Sequence, residues 1–482
     1  MPGCRQLLLN SKDRLILARR RSINGFRVSI RALEVSQAPF SSVNFDLLAI
    51  FDFFRPSFQI QICVKFCYKN VYKVVLPAIT PVACKSNMKF FTHIPFILGF
   101  LAVLHPSCNA KVCNVLDYGA VADGQTDVGP AIIKAFNDCK TQTTGDPADT
   151  VVLVPRGDYS IGSNVVMMKG KAITFTFDGT LNLIYSTTLT KNMISFIRFE
   201  QLVVNGKGRF NGNGMRYRPN GSLKRSPQRP RLVRIENSID VDYSGFNLFE
   251  SPMYHLTLYN VTNANVHDFE IHGPDIGTTD GITVAGWNIS VHDVVVEGGD
   301  ECVSVKSPSD GVTVKDVTCI KTDGCSLGSM GPGARGYSIN NVRFENINLT
   351  DASNGIIVKS YKNAQGAIDN LTCINFSLTR VAYAIKLDSS WGNTKWDQTR
   401  FRQKRALAGQ RWTNFRFISF RGTAKGPRQV VTINCDQKEQ CTGLVFKDIQ
   451  VTGTKIPKPK FVAGCGSYDS ASTEALGPLR AC

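Results

Sequence analysis

A polar residue, Asp or Asn, followed by an apolar one recurs through the second half of the chain, each time inside a short β-rich stretch. The units are Val241-Asp242-Tyr243, His267-Asp268-Phe269, His292-Asp293-Val294, Lys315-Asp316-Val317, Asn340-Asn341-Val342 and Asp369-Asn370-Leu371, and their Asp/Asn positions lie 26, 25, 23, 25 and 29 residues apart. The segments around them, such as 289–296, 312–318, 338–347 and 355–360, are rich in Val and Ile and often alternate. Asn, Gly, Asp and Ser punctuate the turns between them. A period near 25 residues with short strands and no helical periodicity predicts a β-solenoid. Leucine-rich repeats share the period but need a Leu-dominated pattern, which is absent. A β-sandwich gives no reason for similar sequence at every period. In a solenoid, residues one period apart become spatial neighbours. The one convincing helical stretch, Ala131–Cys139, is expected to cap the open N-terminal end and cover its strand edge.

Residues 88–110, MKFFTHIPFILGFLAVLHPSCNA, have the anatomy of a secretory signal peptide: a Lys after the Met, an apolar run from Ile94 to Leu104, and a small-residue ending. Residues 1–87 contain Arg19-Arg20-Arg21 and scattered aromatics without cap, repeat or motif. They read as a non-domain extension, an upstream addition to a gene product that starts at Met88, with a genuine basic presequence as the rival. The mature domain is expected at 111–482. The formal net charge is +18, but half of that excess lies in residues 1–87, so the charge does not point to nucleic acid. The mild excess in the remainder would suit a polyanionic substrate by steering, or be a solvated surface. No run of 18 apolar residues follows residue 110, so a membrane span is not expected in the mature form.

Secretion fits the cysteines. Ten follow residue 110, an even number, and oxidising surroundings permit disulfides. Short separations suggest Cys113–Cys139, Cys302–Cys319, Cys435–Cys441 and Cys465–Cys482. Cys325 and Cys373 are left over, paired or as buried thiols. Six N-x-Ser/Thr sequons begin at Asn220, Asn260, Asn288, Asn348, Asn370 and Asn375, as on a glycosylated extracellular surface.

The stretch TTDGITVAGWNISVHDVVVEGGDECVSVKS, residues 278–307, carries the chemistry. Asp280 stands 20 residues before Asp300, and Glu301 follows directly. In a stack these carboxylates would approach one another on one face. Like charges brought together raise at least one pKa, the condition for a general acid. A glycosidase needs two carboxyl roles, one to protonate the leaving oxygen and one to activate water or to attack. Taken singly, Asp-Gly is also a common turn and an acidic pair is often solvated; clustered carboxylates are also calcium ligands.

These residues resemble glycoside hydrolase family 28, the polygalacturonase superfamily. The similarity runs from LDYGAVADGQTD at 116–127, through GKGRFNGNGMRY at 206–217 and Arg229-Pro230-Arg231-Leu232, to TTDGI, GDECVSVKSP, GCSLGSMG and IVKS. The resemblance implies an all-β, right-handed parallel β-helix and single-displacement, inverting hydrolysis of pectin by a monomer without metal or cofactor. By motif, Asp300 would be the general acid, Asp280 and Glu301 would hold the attacking water, and Lys359 would bind a uronate carboxylate. Lys306 and Trp391 are further candidates for substrate contact. An inverting enzyme would place the Asp300 carboxyl roughly 6.5–9.5 Å from the nearer of its two partners.

Three departures from polygalacturonases occur together: Asp300-Glu301 for two Asp, Thr322-Asp323-Gly324-Cys325 for Gly-His-Gly, and Ile357-Val358-Lys359 for Arg-Ile-Lys. They resemble the rhamnogalacturonase branch. Rhamnose is neutral, so a cation on the leaving-group side has no carboxylate to pair, and Ile357 in place of Arg is then expected. The rival readings are a polygalacturonase, a calcium-dependent lyase, and an inactive pectin-binding protein on the same scaffold.

Overall fold

A computed structural model describes residues 110–468, apart from 142–144, 219–228, 274–276, 332–333, 363, 392–408, 427–429, 436–439, 454–459 and 462–465, together with the backbone of four strands between Arg19 and Cys67. The chain divides into two compact units, Met1–Leu104 and His105–Cys482.

In the first unit Arg19–Ile23, Phe26–Arg31, Asp46–Arg55 and Phe58–Cys67 pair antiparallel in sequence order. The last of these reads FQIQICVKFC, a strict alternation of the kind that marks a strand. The sequence reading had found no motif in this segment. The signal-peptide segment before Ala110 lies outside the described residues.

The second unit is a parallel β-helix. Every strand pairing in it is parallel, and pairings run from one coil to the next. The helix Gly129–Cys139 lies at its N-terminal end, with Pro130 in the first turn, where a missing N–H costs nothing. Its buried residues Ala131, Ile132, Ala135, Phe136 and Cys139 form one face, and the Cys113–Cys139 disulfide fastens it to the first strand.

Inside each coil, like residues stack. One column runs Leu258, Val284, Val305, Leu327, Val358, Leu387, Ile433, all of them buried. Full burial of such a side chain contributes about 1.5–3 kcal/mol, so the columns hold the coils in register. The neighbouring column, Thr283, Ser304, Ser326, Ile357, Lys386, points the other way because side chains alternate along a strand.

The true coil step differs from the sequence repeat. His267 aligns with His292, His292 with Lys315, Lys315 with Glu345 and Glu345 with Ile374, steps of 25, 23, 30 and 29 residues. The six repeat positions therefore fall in three columns. Asp268, Asp293 and Asp316 share one, which continues to Asn346 and Asn375. Asn341 and Asn370 belong to another, with Asn263 and Asn288 above them. Asp242 aligns with Asn265. The physical reason is that two turns per coil hold a residue at φ near +55°, and both take Asn or Asp, which tolerate that region. Two columns of identical chemistry looked like one.

The asparagines also form ladders between coils. Nδ2 of Asn260, Asn288, Asn370 and Asn375 donates to the side chain of Asn237, Asn263, Asn341 and Asn346 respectively. These four sequon residues, and Asn348, are exposed; Asn220 lies outside the described residues.

Candidate active site

The turn Gly298-Gly299 delivers the acidic pair to the start of strand Glu301–Ile320. Gly299 has φ +94°, and a Cβ there would stand 2.4 Å from the carbonyl of Thr279; only glycine fits so close a crossing of coils. Gly281 N–H donates to the Glu301 carbonyl at 2.8 Å, and Asp323 N–H to that of Asp300 at 2.6 Å. With Ile282 paired to Val303, Asp280 lies directly over Glu301. The disulfide Cys302–Cys319 adjoins the acidic pair, and a further disulfide joins Cys435 and Cys441. Cys325 and Cys373 are buried free thiols. Cys465 and Cys482 lie outside the described residues.

One oxygen from each of Asp280, Asp300 and Glu301 lies within 4.8 Å of the others. This is closer than the 6.5–9.5 Å spacing expected for an inverting pair. The contraction has a cause, a hydrogen bond between the Asp300 and Glu301 carboxyls. Asp280 and Glu301 are each 3% exposed. Burial, with the charges of Glu301 and Asp280 added, pushes the Asp300 carboxyl up to about 8. Burial and Glu301 push Asp280 up to about 7. Burial acts the same way on Glu301, but the Lys359 and Lys306 ammoniums outweigh it and hold that carboxyl down at about 2. The cluster thus contains a protonated acid beside an ionised base, which proton transfer requires. Three oxygens at this spacing could also ligate a divalent cation, but two ammoniums beside them oppose a further positive charge.

Lys359 is 8% exposed and its Nζ donates to Glu301 Oε1. It is therefore a counter-ion of the cluster as it stands. Lys306 Nζ donates to the Gly328 carbonyl. Trp391 donates its N–H to the Ser360 carbonyl, and both Lys359 Nζ and Lys386 Nζ lie 5.0 Å from its ring centroid. Ile357 is 2% exposed, so its side chain is not offered to a sugar. Lys386, its neighbour one coil on, carries the cation of that row, with Asp388 at 4.0 Å. Sequence reasoning missed Lys386, because the aligned step of 29 residues appears only in the register. It also missed Thr278, whose backbone N–H donates to Asp300 Oδ2, and Tyr254, which burial raises to about 12 and which feels all three carboxylates.

The raised carboxyls carry a stability signature. Asp280 and Asp300 bind their protons more tightly folded than unfolded, so their contribution is full below the ordinary carboxyl range and is lost as pH rises through the folded values. The melting temperature should fall between roughly pH 4 and pH 8, and Asp300→Asn should flatten that slope. A variant slope equal to the wild type would show that Asp300 is not a raised carboxyl.

The family description "Glycosyl hydrolases family 28" matches residues 145–470. An Aspergillus niger protein bearing the name rhamnogalacturonase D is 32% identical over 71% of this chain and 72% of its own length. Rhamnogalacturonase A of Emericella nidulans is 32% identical over 73% of this chain and 65% of its own. Among solved structures, the endo-xylogalacturonan hydrolase of Aspergillus tubingensis superposes with a TM-score of 0.61 at 20% identity, covering 75% of this chain and all of that one; at that identity the likeness speaks for the fold.

Proposed function

Because the chain belongs to glycosyl hydrolase family 28, we propose that it hydrolyses the pectin backbone at galacturonate–rhamnose linkages, outside the cell and as a glycosylated monomer. The observation that carries the hydrolytic mechanism is the split within one cluster, Asp300 held protonated and Glu301 held ionised. Asp300 gives its proton to the glycosidic oxygen as the bond to the anomeric carbon breaks. Glu301, with Asp280, takes a proton from the attacking water. Single displacement is favoured over a covalent intermediate because Glu301, the ionised carboxylate, is tied to Lys359 and buried, a poor nucleophile but a serviceable base. The three disulfides fit an oxidising, extracytoplasmic setting, and no helix among the described residues is long and apolar enough to cross a membrane.

The names of the relatives and the loss of a cation at Ile357 support rhamnogalacturonan as substrate. Lys386, one coil beyond Ile357, favours the second reading, a polygalacturonase, since it could meet a uronate in that row. Purified rhamnogalacturonan and polygalacturonate separate the two. Cleavage of the mixed backbone should be faster by about 10²-fold, equivalent to roughly 2.7 kcal/mol in the transition state. Proton NMR of the first product should show the inverted β-anomer from an α-linked bond. Equal or faster cleavage of polygalacturonate would make the protein a polygalacturonase, and early α-anomer would overturn single displacement.

A further inference from the structure

Arg229 opens the Arg229-Pro230-Arg231-Leu232 stretch and is only 6% exposed. Its Nη2 donates to Thr278 Oγ1 at 2.7 Å and its Nη1 to the Pro252 carbonyl at 3.2 Å. Arg218, equally buried, donates to the carbonyls of Ser251 and Pro252. The two guanidiniums repel each other, and the Nε of each finds no acceptor among the described residues. Two buried, mutually repelling cations are an expensive way to fix a loop, so what they hold matters.

Thr278 sits at φ +68°. A β-branched residue there is a genuine outlier, because its side chain crowds the backbone. Such a conformation persists only where the surroundings over-determine it, and it clusters at active sites. Here it aims the Thr278 N–H at Asp300 Oδ2.

We propose that Arg229 is a positioning residue for the acid: by gripping Thr278 Oγ1 it keeps that peptide in its left-handed conformation and its N–H on Asp300 Oδ2. With Oδ2 committed as an acceptor, the transferable proton belongs to Oδ1. As that proton passes to the leaving oxygen and the glycosidic bond breaks, charge appears on the Asp300 carboxylate, and a fixed N–H stabilises it more than it stabilised the neutral acid. The inference rests on Asp300 acting as the general acid.

The charged and titratable groups that face Asp300 are Glu301, Asp280, Lys359 and Tyr254, and all stay in place in Arg229→Met. That variant also keeps the Arg218 bond to Pro252, so it should melt near the wild-type temperature. Its kcat should fall about tenfold or more with KM within about twofold, the split expected when an interaction made only in the transition state is lost. Losing the N–H disfavours the carboxylate, so the basic limb of the pH–rate profile should move up by about one unit. Adding Thr278→Asn to Arg229→Met should restore most of kcat, since asparagine accepts the left-handed region without a tether. A basic limb that stays put, or a double variant no better than the single, would overturn the proposal. The Asp300 titration can also be read without activity, from the infrared difference between ¹³C-aspartate-labelled protein and its Asp300→Asn variant. A titration unmoved by Arg229→Met sinks the positioning role. A moved titration with Asp300→Asn still turning over upholds it and sinks only the assignment of the acid.

Discussion

Asp300→Asn should reduce turnover by about 10²-fold or more, the range lost with a general acid, while binding of oligosaccharide survives. The substitution is close to isosteric. The new amide oxygen can still accept from the Thr278 N–H, and the amide nitrogen can still donate to Glu301, as the protonated acid does. What disappears is the proton. The raised pKa of Asp300 comes first from burial and then from its two acidic neighbours, so the wild-type rate should fall on the alkaline side as that carboxyl ionises. The variant should lose this basic limb together with its rate. Two results would remove Asp300 from its role: near-normal turnover, or a slow variant whose basic limb is unchanged, since the limb would then belong to another group such as Asp280.

Much of this site was legible in the sequence because its residues lie within one coil and its successor. Asp280 and Glu301 differ by less than one period, and the pairing of Ile282 with Val303 brings them into register as a stack must. The solenoid itself was legible for the same reason, since like residues have to recur where coils meet. What escaped depended on register. Asn341 and Asn370 share the composition of the Asp268 column but sit at a different turn, and no spacing near 25 distinguishes them. Arg229 reaches Thr278 across 49 residues, through a bend that no periodicity encodes. The apparent replacement of Arg by Ile357 was visible, but the cation one coil away at Lys386 was not, because coil lengths vary from 23 to 44 residues between Thr283–Ile418 neighbours such as His292–Lys315 and Ile374–Ile418. The motif at Lys359 gave a cation near the substrate, and only the fold revealed that Glu301 already holds it.

Lys359→Met decides between these two uses of one ammonium. If Lys359 served only to bind a uronate, its loss would raise KM and leave kcat intact, the signature of uniform binding. The geometry argues for a different result. Glu301 is buried beneath Asp280 with Lys359 on its Oε1, and that cation, ahead of Lys306, is what holds its pKa down against burial. Removing one partner of a buried pair costs about 3–5 kcal/mol, because the other charge is left uncompensated. Glu301 would then keep a proton well into the working range, and a protonated Glu301 cannot accept one from water. We therefore expect kcat to fall by about 10²-fold, comparable to loss of a general base, with the acidic limb of the pH–rate profile displaced upward. Stability should follow the same linkage. A depressed carboxyl contributes above its unfolded pKa and loses that contribution as pH falls, so the variant should be destabilised near neutrality and should approach the wild type in acid. Lys306→Met should shift the acidic limb in the same sense but less, since its Nζ is bonded to the Gly328 carbonyl rather than to the carboxylate. A Lys359→Met enzyme with full kcat, an unmoved acidic limb and a raised KM would assign Lys359 to the uronate alone and leave Lys306 to hold Glu301 ionised.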